Sequence, residues 1–245
     1  MRALIEFLGS YEPLYPQIVR GYPTADIERL EQALGRPLPA AFRDFLETAG
    51  ANIGFPLHDL TFDIEELIEL TLNKHPTLPA TLTPIAYDLS PSYADYYLDL
   101  GRPAGEGDGV VMRSAAGSEL FDEAFDVFHS LRDMLFLWGF ERIRKLTLVH
   151  RKWVSWELDD FADPRTAPTL DDLHRFLENL GLHVLDVTGP KVRLYDRGDC
   201  AASVCQTVFG PTFAVYIAGS SERTVSLVAE TLCDGMPGHG IRHPG

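Results

Sequence analysis

The stretch Ala25-Asp-Ile-Glu-Arg-Leu-Glu-Gln-Ala-Leu-Gly-Arg-Pro-Leu-Pro-Ala-Ala-Phe-Arg-Asp-Phe-Leu-Glu-Thr-Ala-Gly50 decides the reading of the fold. Ile27, Leu30 and Leu34 recur at helical spacing, and so do Phe42, Phe45, Leu46 and Ala49. Gly35 and Gly50 stand where helices stop, and Pro39 stands where one starts. The stretch therefore predicts two short amphipathic helices joined by a Gly-Arg-Pro-Leu-Pro corner. Thr24 is the expected N-cap of the first, with Asp26 and Glu28 placed to complement its dipole.

Working outward, Asp63 to Asn73 carries Ile64, Leu67, Ile68 and Thr71 on one helical face and Glu65, Glu66 and Glu69 on the other. From Leu82 the period shortens. Leu82–Asp88, Tyr96–Leu100 and Gly109–Arg113 read as strands, and a fourth runs within Glu119–Phe128, where Phe121, Phe125 and Val127 alternate with acidic residues. Ser130 with Asp133 marks a helix start, and Leu131, Met134, Leu135 and Trp138 give that helix its buried face to about Lys145. Helices, then an antiparallel meander, then a closing helix is an α+β layout. It is expected to occupy residues 1–146.

Residues 147–168 read as a bridging strand with Trp153 and Trp156, followed by a polar linker containing Pro164 and Pro168. Residues 169–234 read as a smaller two-layer α+β domain. Thr169 caps a helix bearing Leu173, Phe176, Leu177 and Leu180, four strands follow, and Ser220 or Ser221 opens a last helix with Val225, Val228, Ala229 and Leu232. Residues 235–245, rich in Gly, Pro and His, read as a loose tail.

Composition narrows the function. The chain has 245 residues and a formal charge of −15. Up to Leu146 there are 23 acidic and 12 basic residues (−11), against 13 and 9 (−4) beyond it. Such a surface repels nucleic acid and anionic membrane and attracts basic proteins, although acidity also serves plain solubility. The longest apolar run, Met134–Trp138, excludes a spanning helix, and Glu6 interrupts the opening apolar run, against a secretory signal. Three cysteines, all after residue 199, form no disulfide framework and suit a cytoplasmic protein with reduced thiols.

Asp88, Asp95 and Asp99 are positioned to gather carboxylates on neighbouring strands, as an acid/base pair or metal site would require, but no basic or nucleophilic partner accompanies them. Cys200 and Cys205, five apart on a strand, point to opposite faces and share no metal. Gly101–Gly109 carries Glu106 and Asp108 with no lysine, so it repels phosphate. Arg197-Gly198-Asp199 spells an adhesion tripeptide but reads as a turn. No catalytic residue, metal site or cofactor is assigned.

Ile27, Leu30, Glu31, Leu34, Gly35, Leu38, Pro39, Phe42, Phe45 and Leu46 fall in register with the opening pattern of the SUKH superfamily, and the chain resembles its Smi/Knr-like branch. Pro84, Ile85, Ala86 and Asp88, then Leu98 and Asp99, resemble a later feature of that family, and Ser130–Trp138 is similar to its closing helix. The resemblance covers Thr24 to Lys145. Ala49-Gly-Ala-Asn52 departs from the Asn-Gly pair that many members carry after the second helix. The resemblance implies a non-enzymatic, cofactor-free immunity protein that binds and neutralises a toxin, often a nuclease. The rival implication is a regulatory scaffold like the fungal cell-wall regulators. Joined to the negative charge, it makes a basic toxin domain the expected partner, with Glu65, Glu66, Glu69, Asp88, Asp95 and Asp99 as the expected toxin-facing patch. An enzyme using the clustered aspartates is the third alternative.

Overall fold

The computed structural model describes all residues except 58–59, 75–77, 90–93, 116–123, 157–168, 190, 207–212, 237–240 and 245. Packing divides the chain into two units, Met1–Leu135 and Phe136–Gly245, a division that falls ahead of the expected boundary at 146.

The first unit opens with helices α1 (Arg2–Gly9), α2 (Tyr15–Ile18), α3 (Thr24–Leu34) and α4 (Ala40–Phe45). Of the apolar positions of the two-helix stretch Leu34 is half-buried, whereas Ile27, Leu30, Phe42, Phe45 and Leu46 are fully buried. Burying each contributes about 1.5–3 kcal/mol relative to exposure, which is why the pattern sets the helices so firmly. Gly35 ends α3 in the left-handed conformation (φ 69°), the geometry that glycine adopts without a Cβ penalty. Thr24 is the first helical residue rather than the cap: Pro23 precedes the helix, and no side chain caps it. One further turn, Leu46–Gly50, follows α4 with wider π-type bonding.

Five strands then form an antiparallel sheet in the order β1-β2-β3-β4-β5, with β1 Leu60–Thr61, β2 Leu82–Asp88, β3 Ala94–Gly105, β4 Asp108–Ala115 and β5 Phe125–Phe128. Helix α5 (Ile64–Glu69) lies between β1 and β2 in sequence and runs on as a π-type turn, Leu70–Lys74. The expected strand within Glu119–Phe128 is observed over Phe125–Phe128, and its earlier part lies outside the described residues. Helix α6 (Leu131–Gly139) starts as expected, for Ser130 Oγ accepts from Asp133 N at 2.9 Å. Asp108 strengthens that start by accepting from Leu131 N (3.0 Å) and Arg132 N (3.2 Å). The acidic end of the Gly101–Gly109 stretch thus holds a helix terminus.

The second unit is built on a six-stranded antiparallel sheet, order β11-β6-β10-β9-β8-β7. Its strands are β6 His150–Trp156, β7 His183–Leu185, β8 Val192–Asp196, β9 Cys200–Gln206, β10 Phe213–Gly219 and β11 Ile241–Pro244. Alternate residues of one face, including Val154, Trp156, Ala202, Val204, Val215 and Ile217, pack against Leu173 and Leu177 of α7 (Leu170–Asn179) and Val225, Val228 and Leu232 of α8 (Glu222–Gly235). Both helix starts follow the sequence reading. Thr169 and Asp172 form a reciprocal capping box, and Ser221 Oγ accepts from Thr224 N. Two readings change. The strand expected to bridge two lobes, β6, pairs with β10 on one side and β11 on the other, both within this unit. The stretch expected to be a loose tail supplies β11, because its backbone groups satisfy the outer edge of β6.

Candidate functional site

Helix α5 is fixed from three directions. Asp63 caps it, Oδ1 accepting from Glu65 N (2.9 Å) and Glu66 N (3.2 Å), and Thr61 Oγ1 in turn accepts from Asp63 N at 3.0 Å. Ile64 and Leu67 are buried on its inner side. On the outer side Arg29 of α3 donates to both Glu65 oxygens, at 2.7 and 2.9 Å. These bonds hold the Glu65 carboxyl below the usual glutamate range. Glu65 and Glu69 are exposed and Glu66 is half-buried, so the three expected glutamates do share an accessible helix face.

The aspartates are placed differently. Asp88 is buried and accepts from Arg113 Nη2 at 2.7 Å. Asp95 is fully buried, and its Oδ1 accepts from the Asp88 backbone N–H at 3.2 Å. The fold therefore does bring Asp88 and Asp95 together, but inside the sheet layer rather than on a surface. The Arg113 guanidinium lies over the Tyr96 ring at 4.9 Å, which closes the cluster from one side. Asp99 is engaged locally. Its Oδ1 accepts from Gly101 N (2.9 Å) and its Oδ2 from Arg102 Nε (2.7 Å), while Arg102 also reaches Asp126 at 2.6 Å.

Other sequence candidates settle into structural roles. Arg197 and Asp199 pair with each other (2.8 and 3.2 Å) across Gly198, whose φ of 85° makes the turn, so the tripeptide is closed on itself. Cys200 faces the helix-covered core, where burial pushes its thiol up to about 11, and Cys205 lies on the opposite face of β9. Among the described residues, no group of three or more His, Cys, Asp or Glu side chains is placed to hold a metal ion, and no helix is long and apolar enough to cross a membrane.

Two clusters in the second unit were not legible in the sequence. Arg144 donates to Asp196 twice, at 2.8 and 2.9 Å, and also to Gly198 O and Thr147 Oγ1. Lys145, 3% exposed, donates to Glu141 (2.9 Å) and Tyr216 O (3.0 Å), and Ser203 Oγ donates to the same Glu141 oxygen. Burial drives the Lys145 ammonium down from its ordinary range against the pull of Glu141. The only sequence signal was a run of charge, Glu141–Lys145, at the end of an apolar helix.

No curated protein and no solved structure matches the chain. Residues 22–136, which run from just ahead of α3 into α6, match the sequence model of the SMI1 / KNR4 family (SUKH-1), so this part of the chain is a SUKH domain.

Proposed function

We propose that the chain is an immunity-type binding module that neutralises a basic toxin domain by direct contact, using the outer face of α5. The family is in general one of toxin-immunity and regulatory modules with protein partners. The observation that carries the electrostatic part is where the charge sits. Met1–Leu135 holds 22 acidic and 9 basic residues (−13), leaving 14 and 12 (−2) for the second unit. Within the first unit Asp88, Asp95 and Asp99 serve the sheet, whereas Glu65, Glu66 and Glu69 stand on a helix pinned by its cap and by Arg29. A rigid acidic helix face steers a basic partner and loses little entropy on docking.

The test is to co-express the chain with basic toxin-domain proteins drawn from its gene neighbourhood and measure growth, then titrate the purified pair at about 0.05 and 0.5 M salt. Rescue of growth with weaker binding at high salt is expected. Absence of rescue overturns the immunity role, and salt-independent binding overturns the acidic face.

A further inference from the structure

A second recognition feature of the first unit has the opposite charge. After Gly35 turns the chain, the Arg36 side chain reaches across to β2, where Nη2 donates to Leu82 O. It borders a recess of about 460 Å³ whose other walls include Leu34, Thr71, Leu72, Leu78 and Ala80. In a protein with 36 acidic and 21 basic residues, Arg36 makes no ion pair with any described carboxylate. Arg36 is half-buried, and burial weakens its hold on the proton with no negative charge among the described residues to restore it. A guanidinium carries five N–H donors, and the one contact to Leu82 O leaves the rest of the fork for another acceptor. Thr71 offers no competing proton, because its hydroxyl already donates to Leu67 O at 2.7 Å. The side chains of the other lining residues are aliphatic, and Leu72 is 56% exposed.

From this geometry we infer that the recess binds an organic carboxylate joined to a short aliphatic group, as found at the C-terminus of a peptide ending in leucine. The planar fork meets a carboxylate through two parallel bonds, and such charge-assisted pairs are about twice as strong as neutral ones. The leucine and alanine walls take the adjoining alkyl group out of water, which a bare inorganic anion would not exploit. The site stands on Arg36 and its walls alone, independently of the acidic helix face and its toxin.

The probe is N-acetyl-leucine, titrated into the full ¹⁵N-labelled chain while the amides of Leu34, Thr71 and Ala80 are followed. N-acetyl-leucinamide supplies a neutral comparison, and N-acetylglutamic acid α-amide supplies a side-chain carboxylate without the leucine group. Saturable shifts with N-acetyl-leucine are expected, with binding about tenfold or more weaker for the neutral amide, as the loss of a charged hydrogen bond requires. Arg36→Gln is expected to weaken N-acetyl-leucine binding by a similar factor. Leu72→Glu, a change at an exposed lining position, is expected to do so by repulsion with the fold intact, and it decides the matter if Arg36→Gln does not fold. Equal binding of acid and neutral amide, unchanged affinity in Leu72→Glu, or no saturable shift up to about 20 mM overturns the site. Equal binding of the glutamate probe overturns the aliphatic half of the assignment.

Discussion

Replacing Arg144 by Met removes four hydrogen bonds from the second unit, two to Asp196 and one each to Gly198 O and Thr147 Oγ1. The side chains of Arg144 and Asp196 are 10% and 14% exposed, so solvent does little to relieve the carboxylate left behind. Breaking one side of such a pair costs about 3–5 kcal/mol, chiefly because the surviving charge stays buried. For a unit of this size that lowers the melting midpoint by roughly 12 °C or more. The assay is selective, because all three tryptophans, Trp138, Trp153 and Trp156, belong to the second unit. Tryptophan fluorescence in urea therefore follows that unit in the intact chain. Arg144→Met with Asp196→Leu should recover most of the loss, since an apolar pair of similar volume often equals or exceeds a buried ion pair. A loss below about 1 kcal/mol in the single variant would refute the reasoning, for the pair would then be behaving as an exposed one.

Four further outcomes follow from the first unit. Gly35→Ala should cost about 1–2 kcal/mol, the left-handed penalty alone, because a Cβ there meets nothing within 4 Å. Gly107→Ala should cost about 2–4 kcal/mol, since its φ is +68° and a Cβ would also stand 2.6 Å from that of Ala40; far-UV circular dichroism in urea separates the two. Glu31 accepts from Arg43 (2.6 Å) and from Leu38 N (3.0 Å), and the Arg43 bond, then the backbone bond, hold its carboxyl below the usual range against burial. A depressed folded pKa gives stability that is complete above the unfolded value of about 4.3 and lost as pH falls through the folded value. Glu31→Gln should therefore lower stability at pH 7 and flatten the acid limb; an unchanged acid limb would count against the pairing. Reversing Glu66 and Glu69 to Lys should slow toxin association about tenfold at low salt and leave dissociation nearly unchanged, as stopped-flow measurement would show.

Much of the first unit was legible because helical periodicity reports burial directly. Ile27, Leu30, Phe42 and Phe45 sit at 3.6-residue spacing, and each is fully buried. Even Glu31, a polar member of the pattern, proves to hold the corner through Leu38 N. The strands were found with similar success, but the burial of Asp88 and Asp95 on them was not legible. Alternation along Asp95-Tyr-Tyr-Leu-Asp99 says that neighbours face opposite ways, not which face is covered. Here Leu98 is fully buried on one face, while Tyr97, packed with Leu82 and Met112, fills the other. Asp95, on the side of Tyr97, is consequently inside.

The sequence by itself determined what depends on neighbours a few residues away: the two-helix stretch, its glycine stop, the capping residues of α6, α7 and α8, the α+β order and the family resemblance. The tertiary structure decided what depends on partners brought from far along the chain. It set β11 against β6, paired Arg144 with Asp196 and Asp88 with Arg113, and left Arg36 bordering a recess with no counter-charge among the described residues. Local signals carry backbone geometry and one face of burial. The partner of a charge is fixed only when distant strands close on each other, and that partner decides whether a carboxylate or a guanidinium is structural or free to bind.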